Sequence, residues 1–351
     1  MNECDAMNSL GEMQCVLAAS PQALLFSRCP FPDLRIIPSD ISRKNLVCLI
    51  RMIRVLWKEK PDIVVTHSST DSWLFQLARM FCYRNIRCVR VRHVSAGIKP
   101  NLATKWMYQR FDAVITTSDV IRSNVIKVGV SEHCVFSIPT GLDTDLWALR
   151  SKDEYCVQRS ELMAWTNCFS STYIISMVST LRSWKGHEYA IRAIATIDDV
   201  FLNVIGDGPQ EARLRKLVKS LNLENRVKFW GYQENVRSYL QASDLFLQPS
   251  IANEGVSQSL LQAQAVGVPV IASDISGLNQ VVVHDQTGYL ITPESEESLK
   301  NAILAIKDGH HQTERWVNEA RKNICRYGSL EVMVNKASEV YDFVMKKASQ
   351  C

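Results

Sequence analysis

The chain has 351 residues, which is more than one hydrophobic core usually holds, so we expect two domains of roughly 150 residues each. Its composition, 46% hydrophobic and 22% charged, is that of a globular protein and excludes long disordered regions. The formal net charge is +4, and no apolar run approaches the roughly 18 residues that a membrane-spanning helix needs.

The front of the chain alternates short apolar strands with amphipathic helices. Its first ten residues hold two acids and no basic residue, unlike a secretory signal peptide. We predict strands at residues 15–18, 63–66, 88–91, 113–116 and 135–138, and helices at residues 43–60, 73–82 and 118–127. This alternation predicts a parallel sheet with helices on both faces.

The pattern breaks at residues 141–171, which we interpret as an irregular interdomain connection, and then begins again. The predicted strands are 173–178, 201–205, 227–230, 245–248 and 269–272, and the predicted helices are 184–195, 211–221, 236–242 and 257–266. A last helix is predicted at residues 330–347. The back half is therefore expected to be a second α/β domain.

Three short motifs in the back half each follow a predicted strand. In residues 253–262, Glu254 and Gly255 precede a predicted helix start near Val256, where free N–H groups and the helix dipole suit a diphosphate. Gly255 would let the backbone approach a ligand closely. Glu254 could accept hydrogen bonds from sugar hydroxyls, or it could simply stabilise the helix dipole.

The second motif contains Arg182 and Lys185, three residues apart at a strand-to-helix turn. A guanidinium fork and an ammonium point charge both suit a leaving diphosphate, although charges are common near helix starts. The third motif is a turn around Gly206 and Gly208, to which we assign mainly a shaping role.

Together and in this order, the motifs resemble glycosyltransferase family 4 (group 1), which has the GT-B fold. The resemblance covers residues 60–347 and is strongest at residues 172–293. It implies an α/β protein of two facing Rossmann-like domains with parallel sheets, with the first strand and glycine-rich loop of the N-terminal domain missing. The implied parts are residues 1–145 as the acceptor-side domain, 146–170 as the connection, 171–325 as the nucleotide-sugar-binding domain, and 326–351 as a helix returning to the N-terminal domain.

The resemblance also implies roles at the donor site. Arg182 and Lys185 would neutralise the leaving diphosphate, and Glu254 would hold the donor sugar. Gln262 stands where the family has a second acid that grips the ribose, so it offers an acceptor without a charge. The further donor-binding positions are Gly206, Gly208, Gly231, Tyr232, Gly255, Val256 and Ser257, of which Gly231 and Tyr232 lie near the base.

On the acceptor side, the family often places a histidine against the transferred sugar, and His93 is the matching candidate. A histidine that merely closes a strand end by hydrogen bonding is the alternative. His67 and Ser68, at another strand tip, could contact the acceptor, and Arg92 could meet an acceptor phosphate.

Charge and cysteine content bear on partners and location. Residues 1–150 hold 19 Lys and Arg against 13 Asp and Glu, and the remainder holds 21 against 23. A basic front half favours an acidic acceptor or an anionic membrane surface, although an ordinary solvated surface explains the excess equally well. Eleven scattered cysteines without a C-x-x-C pair favour reduced thiols in the cytoplasm.

These observations predict a retaining, hexosyltransferase-type glycosyltransferase that moves a sugar from a nucleotide-diphosphate donor to a glycan or lipid-linked acceptor of the cell envelope, in polysaccharide or lipopolysaccharide biosynthesis. The resemblance implies that the leaving phosphate acts as the base, with no metal and no cofactor. We expect no nucleic-acid partner, and a cytoplasmic location that includes the inner face of the membrane. The alternatives are a truncated or inactive homologue that binds a nucleotide or partner proteins, which Gln262 and the missing loop favour, and a sugar-nucleotide epimerase.

Overall fold

The structure, a computed structural model, describes residues 4, 7–8, 13–22, 34–82, 85–93, 97–99, 101–166, 172–252, 254–309 and 312–346. The chain divides into two compact units. Unit 1 consists of Met1–Gly141 and Leu330–Cys351, and unit 2 consists of Leu142–Ser329. In the described ranges, no helix combines the length and apolarity that a membrane crossing requires.

Unit 1 contains two parallel sheets. Strands β1 (Val16–Ala19) and β2 (Arg35–Pro38) pair with each other, and β3 (Ile63–Thr66), β4 (Arg87–Arg92), β5 (Ala113–Thr116) and β6 (Val135–Ser137) follow one another in a four-stranded sheet. The register places Thr66 opposite Arg90, and Arg92 opposite Thr116. The carboxyl ends of β3 and β4 therefore lie side by side.

Four helices of unit 1 begin at residues whose side chains cap them. They are α1 (Leu46–Glu59), α2 (Ser69–Ala78), α3 (Leu102–Gln109) and α4 (Asp119–Lys127), capped by Asn45, Ser68, Asn101 and Ser118 respectively. Each cap oxygen accepts a hydrogen bond from a first-turn N–H group that would otherwise have no partner in the helix. At α2 the N3 side chain of Asp71 also accepts from the Ser68 N–H, which completes a capping box.

Unit 2 is built on one six-stranded parallel sheet. Its strands are β7 (Tyr173–Val178), β8 (Val200–Ile205), β9 (Val227–Gly231), β10 (Leu245–Gln248), β11 (Val270–Ser273) and β12 (Tyr289–Ile291), in the spatial order β12-β11-β10-β7-β8-β9. This is the strand order of dinucleotide-binding folds, in which the winding reverses between the first and fourth strands. Ligands of such sheets bind at the carboxyl ends of those two strands, here β7 and β10.

The helices of unit 2 are α5 (Lys152–Thr166), α6 (His187–Ala195), α7 (Glu211–Ser220), α8 (Val236–Gln241), α9 (Gln258–Ala265), α10 (Glu296–Lys307) and α11 (Thr313–Asn323). Apolar side chains of α6, α7, α10 and α11 form one buried cluster with β7 and β8. Burial of such side chains is the main stabilising contribution to this unit.

The last helix, α12 (Leu330–Lys346), belongs to unit 1. Its buried residues Val334, Ala337 and Val340 form a cluster with Val89 and Val91 of β4. Together with Tyr341 and Val344 of the same cluster, these positions recur at intervals of three and four, so one face of α12 covers the four-stranded sheet of unit 1.

Each strand predicted from the sequence has a counterpart in the structure, whereas β2, β12, α3, α10 and α11 were not predicted. Three further predictions need correction. The stretch 141–171 is not irregular throughout, because it contains α5. The helix predicted at 73–82 begins earlier, at Ser69, since the Ser68 capping box starts it there. The helix expected to begin near Val256 begins at Gln258, because Ser257 keeps an extended backbone.

Candidate functional site

The predicted motifs of unit 2 meet at the carboxyl ends of its two central strands. Strand β10 pairs with β7, placing Phe246 opposite Ser176. Arg182 and Lys185 follow β7, and Glu254 follows β10. The two loops are joined by a hydrogen bond from the Ile251 N–H to the Trp184 carbonyl, at 2.8 Å. The sheet therefore brings two of the three motifs to the place where its topology predicts a ligand.

At this place Lys185 and Glu254 form an ion pair. The Lys185 Nζ lies 2.7 Å from the Glu254 Oε1, and the side chains are only 17% and 7% exposed. The Ser250 hydroxyl donates to the same oxygen at 2.8 Å. An ammonium carries three N–H donors, so the contact with Glu254 leaves two that could bind phosphate oxygens.

A chain of hydrogen bonds supports the ion pair from behind. The side-chain amide of Gln248 donates through Nε2 to the Ser250 hydroxyl at 2.9 Å, and the Ser257 hydroxyl donates to the Gln248 Oε1 at 3.3 Å. Ser259 lies 3.1 Å from Ser257. Gln248, Ser250 and Ser257 are buried, so these bonds fix the loop that carries Glu254.

Gly186 lets the two loops approach each other. Its φ of +73° favours glycine, and a Cβ at this position would lie 1.8 Å from the Pro249 carbonyl oxygen. Helix α6 starts directly after Gly186, and α9 starts after Ser257. Neither residue caps its helix through a side chain. Two helix N-termini at the switch point thus keep N–H groups for an anion.

The third motif shapes the neighbouring edge of the sheet. The Gly206 N–H donates to the Gly231 carbonyl at 2.8 Å, at the ends of β8 and β9. A Cβ on Gly206 would meet the Ser179 carbonyl oxygen, and one on Gly208 the Leu181 backbone. Tyr232 follows Gly231 and is exposed.

Four other predicted donor residues are exposed or half-buried. Arg182 is exposed, and its guanidinium lies over the Trp184 ring at 5.2 Å. Gly255 and Val256 are half-buried in the loop, and Gln262 is half-buried on α9. Helix α9 begins at Gln258, so the N–H groups of its first turn do not belong to Gly255, Val256 or Ser257. The helix start near Val256 that the sequence predicted is therefore wrong.

In unit 1, the adjacent ends of β3 and β4 carry two histidines. The rings of His67 and His93 stack with centroids 5.6 Å apart, and His67 Nδ1 lies 3.2 Å from His93 Nε2. The backbone N–H groups of His67 and Ser68 donate to the Asp71 carboxylate. The Ser68 hydroxyl is used in the cap of α2.

Two arginines, Arg90 and Arg92, lie on β4 just before His93 in the chain. Arg90 is buried, donates to the Ser72 hydroxyl and packs over the Tyr108 ring, with 4.7 Å from its Cζ to the centroid. Arg92 donates to the Tyr108 hydroxyl at 3.1 Å. Burial, and secondarily the charge of Arg92, lowers the pKa of Arg90. The end of β4 therefore carries two guanidinium groups, while the Asp71 carboxylate lies at the end of β3.

Comparison with known proteins agrees with this arrangement. The family model for glycosyl transferases group 1 matches residues 159–323, and that for glycosyltransferase family 4 matches residues 12–146. The chain belongs to glycosyltransferase family 4. It is therefore a glycosyltransferase of a family of retaining hexosyltransferases.

The names of two relatives of this glycosyltransferase state an acceptor or a biosynthetic pathway. The UDP-Gal:alpha-D-GlcNAc-diphosphoundecaprenol alpha-1,3-galactosyltransferase of Escherichia coli is 28% identical over 288 residues, 76% of this chain and 71% of the relative. The lipopolysaccharide core biosynthesis glycosyltransferase LpsD of Rhizobium meliloti is 30% identical over 131 residues, 37% of this chain and 38% of the relative.

Solved structures resemble the glycosyltransferase over nearly its whole length. A glycosyltransferase from Rickettsia africae has a TM-score of 0.85 at 20% identity, covering 98% of this chain and 93% of that one. Anabaena HepE in complex with UDP-glucose has a TM-score of 0.83 at 19% identity, covering 97% and 94%. These likenesses confirm the predicted α/β fold of the GT-B class with parallel sheets.

Gln248, Ser250 and His187 lie at or beside the ion pair, and no role was predicted for them from the sequence. A polar residue ending the apolar run of β10 was the available signal for Gln248. Asn253, the first residue of the motif 253–262, lies outside the described residues. Within the described part of the chain, no cluster of three or more His, Cys, Asp or Glu could hold a metal ion.

His187, at the start of α6, is a buried titratable group beside the ion pair. Its Nε2 lies 3.1 Å from the Ser179 hydroxyl. Burial, and to a lesser extent the charge of Lys185, lowers the pKa of His187 from 6.5 to about 4. The folded glycosyltransferase therefore keeps this imidazole neutral through the acidic range where a free histidine is protonated.

We expect His187 to make the stability of the glycosyltransferase fall at acid pH. Between about pH 6.5 and pH 4 the unfolded chain binds a proton that the folded chain does not, so the free energy of unfolding decreases by roughly 3 kcal/mol as pH falls. Urea unfolding at pH 7 and near pH 4.5 measures this loss. His187→Gln should show a smaller loss, and His284→Gln, at an exposed site, should lose as much as the native chain.

Proposed function

We propose that this glycosyltransferase transfers a sugar, with retention at the anomeric carbon, from a UDP-sugar to a glycan or lipid-linked acceptor during the synthesis of cell-envelope polysaccharide or lipopolysaccharide. The observation that carries the proposal is the buried Lys185–Glu254 pair at the switch point, beside two helix N-termini without side-chain caps. Positive groups and N–H donors converge there on a site that suits a diphosphate.

In this proposal the donor diphosphate lies against the starts of α6 and α9. Lys185 and Arg182 would stabilise the negative charge that grows on it as the sugar leaves. Donors fixed in advance at such a place lower the barrier because they need not reorganise during the reaction. Lys185 is held by Glu254, whereas exposed Arg182 can turn from the Trp184 ring towards a phosphate.

Glu254 would hold the donor sugar, and Gln262 the ribose. The Glu254 carboxylate accepts from Lys185 and Ser250 through one oxygen, and its other oxygen can accept from sugar hydroxyls. Gln262 can offer its amide oxygen to a ribose hydroxyl without a charge. Gly206, Gly208, Gly231 and Tyr232 would form the side of the site that meets the base.

The proposed reaction exchanges one bond at the anomeric carbon. The bond to the diphosphate oxygen breaks, and the acceptor oxygen bonds to the same face of the sugar. The proton of the acceptor hydroxyl passes to the leaving phosphate oxygen, so the products are the glycoside and UDP. None of these steps requires a protein base, and the residues named above bind and stabilise charge.

Unit 1 would supply the acceptor side and unit 2 the donor side. We assign His93 to the transferred sugar, and His67 and Arg92 to the acceptor. The charge of Arg90 below them supports an acceptor that carries phosphate, as does the diphosphoundecaprenol in the name of the Escherichia coli relative. The Ser68 hydroxyl is engaged at the helix cap, so Ser68 would act through position alone. A lipid-linked acceptor would place the enzyme in the cytoplasm, on the inner face of the membrane.

Nucleotide binding tests the donor site. UDP at about 100 times its dissociation constant should raise the free energy of unfolding by roughly 2.7 kcal/mol and the unfolding temperature by several degrees. Thermal unfolding with UDP, GDP or ADP measures this, and Arg182→Ala should reduce the shift with UDP. Arg326→Ala is the matched control, because Arg326 is also exposed and lies over an aromatic ring, at 5.1 Å.

A turnover assay separates the proposal from its alternatives. The glycosyltransferase should release UDP from a UDP-sugar when a lipid-linked acceptor fraction is added, and NMR of the product should show the anomeric configuration of the donor. Interconversion of UDP-sugars without UDP release would favour an epimerase. UDP binding without turnover would favour an inactive homologue, and no shift with any nucleotide would contradict the donor site.

A further inference from the structure

Helix α1 of unit 1 presents large apolar side chains to solvent. Leu46, Val47, Ile50 and Trp57 are 41% to 69% exposed. At 100° per residue, Leu46, Ile50 and Trp57 fall within about 40° of one another on the helix. They form a stripe on the side away from the core residues Cys48, Met52 and Leu56, which are buried.

The outward side of α1 continues with basic residues. Arg54, Lys58 and Arg51 are exposed and lie next to the apolar stripe, and no acid of α1 shares this side. Arg51 pairs with Asp40 at 3.4 Å, and the acid Glu59 points elsewhere and pairs with Arg35 at 2.9 Å. Residues 43–60 contain six Lys and Arg against the single acid Glu59.

The segment that packs against α1 extends the apolar surface. A single 3-10 turn, Arg79–Phe81, follows α2, and its Met80 and Phe81 are both exposed. The exposed large apolar side chains of unit 2 are instead separated along the chain, for example Leu146, Tyr232 and Val283. A group of exposed apolar side chains on two segments that contact each other is typical of an interaction site.

We propose that this patch, the docking face, binds an anionic lipid bilayer. The docking face consists of Leu46, Val47, Ile50, Arg51, Arg54, Trp57, Lys58, Met80 and Phe81. Apolar side chains beside basic ones match the layered chemistry of a bilayer surface, where acyl chains lie below anionic headgroups. A second copy of the chain fits less well, because a symmetric dimer would set the basic residues against themselves.

The docking face adjoins the acceptor-side residues of unit 1. Lys44, just before α1, reaches the Ser69 hydroxyl at 3.5 Å and lies over the Trp73 ring of α2. Helix α2 begins directly after His67 and Ser68. The amino end of α1 is therefore beside the edge that carries His67. The use of this docking, delivery of a lipid-linked acceptor, rests on the proposed function, whereas the binding itself does not.

Vesicle flotation tests the docking face. The full chain is mixed with phosphatidylcholine vesicles, with or without about 30 mol% phosphatidylglycerol, at low and at high salt. We expect it to float with the anionic vesicles at low salt only. Arg54→Gln with Lys58→Gln should weaken binding about thirty-fold, at about 1 kcal/mol for each basic side chain. Ile50→Ser with Trp57→Ser should weaken it at least about ten-fold.

The matched control removes two exposed lysines from a helix of unit 2, Lys216→Gln with Lys219→Gln on α7, and should float like the native chain. Absence of the native chain from the anionic vesicles, equal flotation with neutral vesicles, or full binding by both docking-face variants would each overturn the proposal. The UDP-induced thermal shift of each variant is measured in parallel. If the native chain shows no thermal shift with UDP, the donor site is contradicted and the flotation result is unaffected. If the native chain does not float, the docking face is contradicted and the donor site is unaffected.

Discussion

Replacement of Lys185 by methionine is expected to lower kcat with a UDP-sugar by about 10²- to 10³-fold, because one fixed donor to the leaving diphosphate is lost. The same change leaves Glu254, which is 7% exposed, without its ion pair at 2.7 Å. An uncompensated buried charge is costly, so the free energy of unfolding should also fall by about 3 kcal/mol. Steady-state kinetics and urea unfolding measure the two effects separately.

The double variant Lys185→Met with Glu254→Gln distinguishes catalysis from stability. It removes the unpaired charge together with its partner, so most of the lost stability should return while the activity stays low. Arg159→Met is the matched control, because Arg159 forms an ion pair with Asp244 at 2.7 Å. Asp244 directly precedes β10, whereas Glu254 follows the carboxyl end of that strand. The control variant should lose stability and keep its KM for the donor. Recovery of activity in the double variant would contradict the role given to Lys185.

Local patterns in the sequence predicted ten of the twelve strands that the structure describes, all but β2 and β12. They also gave the candidate site residues, which remain a proposal. Strands β3 and β5 have the bounds that their short apolar runs predict. Arg182, Lys185 and Glu254 stand out because their motifs follow strands. The alternation of strands and helices also predicts parallel sheets, but it does not give the order of the strands.

Helix α5, which was not predicted, and the start of α9 depend on contacts between distant segments. Helix α5 has a charged sequence with weak apolar periodicity, and Arg159 and Tyr155 tie it to Asp244. The start of α9 is set by Ser257, whose hydroxyl turns to Gln248 on β10 instead of capping the helix. The partners of Glu254 likewise come from two loops that only the strand order brings together.

The loops after β7 and β10 meet at Gly186 and Pro249, so one methyl group added at Gly186 should disturb their contact. Gly186→Ala is expected to lower the free energy of unfolding by at least about 3 kcal/mol and to abolish the UDP-induced thermal shift. Alanine at a φ of +73° is strained by about 1 kcal/mol, and its Cβ would lie 1.8 Å from the Pro249 carbonyl oxygen. The loop after β10 would have to move, and it carries Glu254.

Gly309→Ala separates backbone strain from the collision. Gly309 has nearly the same φ, +76°, but among the described residues no atom beyond its chain neighbours lies within 4 Å of the position of its Cβ. This variant should lose only about 1 kcal/mol and keep the shift with UDP. If Gly186→Ala behaves like Gly309→Ala in urea unfolding and nucleotide binding, the close contact of the two loops is not what holds Lys185 and Glu254 together. If it loses both stability and binding, the contact that positions the ion pair also builds the donor site.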